Sequence, residues 1–284
     1  MSPRWRFGLL GENIQYTKSP AIFEAIGNNL GESIQFDVHD VASARVPIIL
    51  ESMKRGELDG LSVTIPHKET VMPLVDRMSD DAQQIGAVNS IGRSGCILEG
   101  HNTDWAGFCV PLLAMKEKLK GKPVLIFGTG GAARACMYAL RVHFEVGEFT
   151  IVSRSMSRRA IVERAIGRTQ AGVFAMERKE EWLAAMRKSV LIVNATPLGG
   201  GNVPDGGELL SVMAGCRDGI YYDLNYNHNN ELTDAASKVG AVVIDGKWML
   251  VAQAVASMRL WTGVIVSFEA ILKAVFPSAA RRLW

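Results

Sequence analysis

The turn Gly128-Thr129-Gly130-Gly131-Ala132-Ala133 follows at once on the apolar run Pro123–Phe127, and the helix-forming stretch ARACMYALRVHF overlaps its end. Read as G-x-G-x-x-A, Gly128 makes the tight turn, Gly130 lets the backbone approach a pyrophosphate, and Ala133 permits close packing of helix on strand. The amides that open the helix then face the phosphates. A plain strand–helix turn can carry the same residues. Here a strand precedes, a helix follows and a further strand comes at Phe149–Ser153, which is the context a dinucleotide site requires. An NAD site carries Asp or Glu about 20 residues on, to accept from the ribose 2′-hydroxyl. This chain reads Ser153-Arg154-Ser155-Met156-Ser157-Arg158-Arg159 there. Arg154 and Arg158 offer guanidinium forks, and Ser153 and Ser155 offer hydroxyls. Cations at a helix N-terminus oppose its dipole unless an anion sits among them. The expected dinucleotide is NADP.

A second set of polar residues falls at the ends of strand-like runs in the first third of the chain. These are Thr17-Lys18-Ser19-Pro20, Ser62-Val63-Thr64-Ile65-Pro66-His67-Lys68, Gly86-Ala87-Val88-Asn89-Ser90 and Asn102-Thr103-Asp104. Ligands bind at strand ends in open α/β sheets. Each residue also has a plainer reading. Ser19 before Pro20 makes a good helix cap, Asp104 can cap the helix after it, and Lys68 on composition alone is a surface lysine. Alternation places Ser62 and Thr64 on one face of their strand, opposite Val63 and Ile65.

The elements that must position these groups alternate. RFGLLGE, IQFDVHDV and GLSVTIP read as strands, SPAIFEAIGNNL and ARVPIILESMKRGEL as helices, and SVTIPHK enters another helix. GRSGCILEGHNTD reads as a hairpin, and a helix runs from about Asp104 to Lys120. A second series follows, VLIF, EFTIVSR, SVLIVNAT, GIYYDLN and AVVIDG, and the last 38 residues read as helices. Such alternation predicts α/β architecture, with parallel sheets covered by helices. The 284 residues suit two domains. With 31 Lys and Arg against 29 Asp and Glu, a net charge of +2 argues against nucleic acid as the main partner. No apolar run approaches the roughly 18 residues of a membrane span. The opening MSPRWRFGLLGEN reads as no signal peptide, and four scattered cysteines suggest neither a disulfide framework nor a zinc site. A cytoplasmic protein with no bound metal is expected.

Taken together, YTKSP, SVTIPHK, IGAVNS, HNTDWAG, GTGGAARA, SRSMSR, NATPLG, DLNY and GKWMLVAQA…LWTG resemble the shikimate dehydrogenase family and its quinate-using relatives, from near Gly8 to Gly263. The resemblance implies a substrate domain, residues 1–104 with 247–284, and a Rossmann-type doubly wound NADP-binding domain, residues 105–246, separated by a cleft. It implies reversible, NADP-dependent reduction of 3-dehydroshikimate to shikimate by a monomer or homodimer. Lys68 takes the role of catalytic acid/base, with Asp104 beside it. Thr17 and Ser19 hold the substrate carboxylate, Thr64, Asn89, Asp104 and Gln253 the ring hydroxyls, and Tyr226 closes the site. Gly128, Gly130, Gly131, Ala132, Ser153, Arg154 and Arg158 hold NADP. Asn194, Thr196, Leu224 and Gly246 line its nicotinamide side.

The chain departs from the family pattern at Thr17, where serine is usual, and at Ser62, where asparagine is usual. It departs again at Gly200 and Gly201 after NATPLG, and at His228 and Glu231 after Tyr226. The pattern is that of a divergent member. Quinate or an aminoshikimate-type compound is the alternative substrate. A methylene-tetrahydrofolate dehydrogenase would share the nucleotide turn without needing the Lys68/Asp104 set, and a non-catalytic sensor would have lost that pair.

Overall fold

The alternating runs form two six-stranded sheets in a computed structural model of the chain, which describes residues 3–199, 209, 211–226 and 230–280. Two compact units result. The first contains the described residues through Gly107 together with those from Val251 onward, and the second spans Phe108–Leu250. Among the described residues no helix is long and apolar enough to cross a membrane.

In the first unit the strands are β1 (Trp5–Gly11), β2 (Ile34–Asp40), β3 (Gly60–Val63), β4 (Arg77–Met78), β5 (Ser90–Ser94) and β6 (Ile97–His101), in the order β2-β1-β3-β5-β6-β4. β1 lies parallel to β2 and β3, while β5 runs antiparallel to both β3 and β6. The loops after β1, β3 and β6 therefore meet the residue before β5 at one edge of the sheet. One face is covered by the helix Val46–Lys54 through Val46, Leu50 and Met53, against Leu10, Leu61, Val63, Ile91 and Leu98. The other face carries Phe7 and Phe23, whose rings lie 4.8 and 5.6 Å from that of Trp261. Gly60 makes this seat, since a Cβ there would lie 2.2 Å from the Trp261 ring. The C-terminal helix Phe268–Val275 packs on the helix Ser19–Leu30 of the same unit.

In the second unit β7 (Pro123–Phe127), β8 (Glu148–Ser153), β9 (Gln170–Ala175), β10 (Leu191–Asn194), β11 (Ile220–Asp223) and β12 (Val242–Ile244) form a parallel sheet, ordered β12-β11-β10-β7-β8-β9. This is the doubly wound order, and strand succession reverses between β7 and β10. The ligand crevice of such sheets lies at the carboxyl ends of these two strands. Trp182 is fully buried beneath the sheet, edge-on to Phe127, with its indole N–H donated to the Met176 carbonyl at 3.1 Å.

Four expectations are corrected. The helix expected after Pro66 is a series of turns leading to a 3₁₀ segment, Met72–Leu74. Pro66 lacks an amide and Ile65 before it is kept from the helical region. The strand read as GLSVTIP therefore ends at Val63. The helix Asp104–Lys120 is broken into Asp104–Cys109, a 3₁₀ stretch Val110–Met115, and Lys116–Leu119. Pro111 lacks the amide an α-helix needs at that point, and its ring clashes with the carbonyl four residues back. Ser19 is the first helical residue rather than the cap, which is Lys18. Two strands lack a sequence signal: β4 is only two residues long, and β9, at the sheet edge with no buried residue, has the weakly apolar sequence QAGVFA.

Candidate active site

The polar residues of the first unit gather at the edge the topology predicts. Lys68 Nζ donates to Asp104 Oδ2 at 2.6 Å, with side chains 17% and 7% exposed. The other carboxylate oxygen, Oδ1, accepts from Asn89 Nδ2 at 2.8 Å, so both faces of Asp104 are held. Asn89 Nδ2 also lies 3.0 Å from Thr103 Oγ1 and 3.5 Å from Gln253 Oε1, and Asn89 Oδ1 accepts from the Thr103 amide at 2.6 Å. Asn102 Oδ1 takes the capping role at this helix start by accepting the Asp104 amide at 3.1 Å. That leaves the Asp104 side chain for Lys68. An ammonium has three donors, so one bond to Asp104 leaves two for a substrate oxygen. Asn89 reaches this cluster because β5 runs backwards, bringing its start to the ends of β3 and β6.

Thr17 and Ser19 sit after β1, with their hydroxyls 3.2 Å apart and the Ser19 amide donating to Thr17 Oγ1 at 3.2 Å. Thr64 follows β3, tied by its amide to the Leu10 carbonyl at 2.8 Å. His67 is buried, with Nε2 2.7 Å from the Val41 carbonyl, anchoring the turn that carries Lys68. Ser62 is buried and its hydroxyl has no hydrogen-bond partner among the described residues. Ser257 is a contributor the sequence reading missed, with Oγ 3.1 Å from Thr103 Oγ1. Its signal is the spacing from Gln253, four residues along one helix face. Tyr226 belongs to the second unit, just after β11. Among the described residues no group of three or more His, Cys, Asp or Glu is placed to hold a metal ion.

In the second unit the glycine-rich turn leaves β7 at the point where strand order reverses. Gly128 has φ of 111° and an added Cβ would lie 2.9 Å from the Ala195 carbonyl oxygen. Gly130 precedes the helix Gly131–Val142, and a Cβ there would meet nothing within 4 Å. Gly131 and Ala132 lie in the first turn of that helix, whose amides have no intrahelical acceptors. Arg134 is fully buried and donates Nη1 to the Thr129 carbonyl at 2.9 Å. Ser153 Oγ is 3.3 Å from Thr129 Oγ1 and accepts the Ser155 amide at 3.2 Å, joining the turn to the segment after β8. Arg154 on that segment is exposed and has no ion pair among the described residues, and Arg158 is half-buried. Open space over Gly130, helix-opening amides and two guanidinium groups fit NADP.

The two glycines predict opposite behaviour. Gly128→Ala forces an unfavourable φ and is expected to destabilise the protein by about 1–3 kcal/mol in denaturant unfolding. Gly130→Ala is expected to leave stability within about 0.5 kcal/mol while weakening NADP binding, since its methyl fills the open space at the turn. Equal effects on stability at the two positions would contradict this.

Asn194, Thr196 and Leu224 cluster at the carboxyl ends of β10 and β11, where the Leu224 amide donates to the Asn194 carbonyl at 2.9 Å. Gly246 is pressed on the same segment, because a Cβ there would lie 2.1 Å from the Leu224 carbonyl oxygen. Two residues of the DLNY stretch to which the sequence reading gave no role hold this cluster together, Asp223 and Asn225. Burial raises the Asp223 carboxyl above its ordinary pKa, against hydrogen bonds from Asn194, Asn225 and Tyr221. Of the departures from the family pattern, Gly200, Gly201 and His228 lie outside the described residues, whereas Glu231 opens the helix Glu231–Lys238.

The family model for the shikimate dehydrogenase substrate binding domain matches residues 9–91, and that for the shikimate 5'-dehydrogenase C-terminal domain matches residues 246–276. The shikimate dehydrogenase (NADP(+)) of Chlorobium phaeovibrioides is 36% identical over 276 residues, covering 95% of this chain and 94% of that protein. Shikimate 5-dehydrogenase from Thermus thermophilus, solved in complex with shikimate, superposes with a TM-score of 0.81 at 29% identity, over 97% of this chain and 99% of that one. Quinate dehydrogenase from Corynebacterium glutamicum, solved with NAD, superposes with a TM-score of 0.84 at 28% identity, over 96% and 99%.

Proposed function

This chain belongs to the shikimate dehydrogenase family, and from that premise we propose that its first unit binds shikimate and moves the reacting proton through Lys68, while its second unit binds NADP. The chain is an NADP-dependent oxidoreductase that interconverts 3-dehydroshikimate and shikimate, a step toward the aromatic amino acids. The observation that carries the assignment of roles is the 2.6 Å contact between Lys68 and Asp104 at the strand-end edge.

When bound, the cofactor would supply hydride to the ketone in its reduced form, NADPH, and would accept hydride from the alcohol in its oxidised form, NADP+. In the reducing direction the substrate's 3-oxygen gains alkoxide character, and Lys68 Nζ stabilises it and gives it a proton. In the oxidising direction Lys68, as a neutral amine, takes the proton from the 3-hydroxyl. Asp104 fixes Lys68 and accepts from an adjacent ring hydroxyl, while Asn89 keeps Asp104 in place. Thr64, Asn89 and Gln253 recognise ring hydroxyls, and the paired hydroxyls of Thr17 and Ser19 turn their protons to the carboxylate. Gly128, Gly130, Gly131 and Ala132 hold the pyrophosphate, and Ser153, Arg154 and Arg158 hold the 2′-phosphate. Asn194, Thr196, Leu224 and Gly246 line the nicotinamide. The reading places the enzyme in the cytoplasm as a monomer or homodimer, which sedimentation of the purified protein distinguishes.

Because the base must be a neutral amine and a lysine side chain is ordinarily an ammonium near neutral pH, oxidation of shikimate is expected to accelerate toward alkaline pH. A flat profile from neutral to strongly basic pH, with chemistry rate-limiting, contradicts Lys68 as the base. The reaction itself is tested by product identity. Incubation with shikimate and NADP is expected to yield the 3-keto acid by NMR, and oxidation at another ring carbon overturns the assignment.

A further inference from the structure

β10 and β11 end side by side, with Asn194 opposite Asp223 in register. Asp223 is fully buried, and each of its oxygens accepts two hydrogen bonds. Oδ2 takes Asn194 Nδ2 at 3.0 Å and the Tyr221 hydroxyl at 2.9 Å, while Oδ1 takes the Asn225 amide at 2.9 Å and Asn225 Nδ2 at 2.8 Å. Four donors fill the acceptor capacity of a carboxylate.

Both asparagines pass the connection on to the loop after β10. Asn194 Nδ2 also donates to the Leu198 carbonyl at 2.9 Å, and its Oδ1 accepts the Thr196 amide at 3.1 Å and the Thr196 hydroxyl at 2.6 Å. Asn225 Nδ2 also reaches the Thr196 carbonyl at 3.1 Å and the Leu198 carbonyl at 3.3 Å. An asparagine amide can bond either way round, and what decides is the partner. Asp223 is an acceptor only, so it turns the NH₂ group of each asparagine toward itself and thereby toward the Thr196 and Leu198 carbonyls. Residues 196–198 are thus tied through two asparagines to one buried carboxylate.

We propose that Asp223 is a positioning residue for the redox reaction, fixing the orientation of Asn194 and Asn225 and through them the loop that lines the nicotinamide. This rests on the reading that Asn194, Thr196 and Leu224 lie on the nicotinamide side of the cofactor. The buried carboxylate acts on the reactive end of NADP and leaves the adenosine end, held at the glycine-rich turn and after β8, untouched.

The test is Asp223→Asn, which keeps the shape but sets an NH₂ group against donors. Turnover of shikimate is expected to fall by about ten- to a hundredfold, the cost of misplacing a reacting group, with KM for shikimate nearly unchanged. Affinity for NADP is expected to fall, while affinity for adenosine 2′,5′-bisphosphate, which lacks the nicotinamide, stays at the wild-type value. Weakened binding of both ligands indicates a merely structural role and overturns the proposal, as does wild-type turnover. If Asp223→Asn does not fold, Asn225→Ala, which removes one bridge at a half-buried position, decides by the same pair of ligands. A wild-type protein that binds neither ligand overturns the cofactor reading itself, and this inference with it.

Discussion

Replacing Lys68 with alanine is expected to lower turnover about 10²–10⁴-fold, the usual contribution of a positioned acid/base, with a much smaller change in the KM for shikimate. The asymmetry follows from what the side chain does. The ammonium meets charge that develops on the substrate oxygen only as hydride transfers, so its removal is felt in the transition state more than in the bound ground state. Alanine also leaves Asp104, 7% exposed, without its cation. The carboxylate keeps the Asn89 bond at 2.8 Å, which limits collapse of the site, and thermal unfolding of the variant separates that structural cost from the kinetic one. Turnover within a fewfold of wild type, or a loss confined to KM, rules out Lys68 as the proton-transfer group.

The second large effect is expected in cofactor choice. Arg154 and Arg158 precede the helix Arg159–Ile166, where cations oppose the helix dipole, and Arg159 pairs with Glu163 at 2.9 Å. By the proposed reading, Arg154 and Arg158 are the guanidinium groups that recognise the 2′-phosphate. Each charge-assisted hydrogen bond is worth about 1.5–3 kcal/mol, and screening at this exposed position favours the low end. Arg154→Ala with Arg158→Ala is therefore expected to reduce kcat/KM for NADP about a hundredfold, equivalent to ~2.7 kcal/mol, while kcat/KM for NAD changes little. Parallel losses with both dinucleotides mean that these arginines hold the segment together rather than read the phosphate.

The second unit is legible where a single local constraint decides a residue. Gly128 needs a positive φ and a clear approach to the Ala195 carbonyl, so the turn it makes is written in its own type. The break at Pro111 has an equally local cause, and only the apolar periodicity on both sides of it makes the stretch read as one helix. In the first unit the ingredients are legible and their assembly is not. Lys68 and Asp104 are 36 residues apart, and what joins them is the pairing of β5 with β3 as well as with β6; the hairpin and the turn at Pro66 are legible locally, the pairing with β3 is not. The family resemblance supplies the Lys68–Asp104 pairing where local pattern does not. Asp223 shows the opposite limit. Its sequence neighbours are an ordinary apolar strand, IYYD, and its partners come from three separate positions, Asn194, Tyr221 and Asn225. Asp223 opens the DLNY stretch that carries part of the family resemblance, but nothing local to it tells what the carboxylate does.

The central claim is NADP-dependent oxidation of shikimate. It is tested most directly by mixing the purified protein with shikimate or quinate, each with NADP or NAD, and following nicotinamide absorbance. Rapid reduction of NADP by shikimate, well above the other three combinations, is the predicted result. No reduction with shikimate and NADP, in a protein shown to bind both, contradicts it, and turnover led by quinate moves the error to the pocket around Thr17 and Ser19.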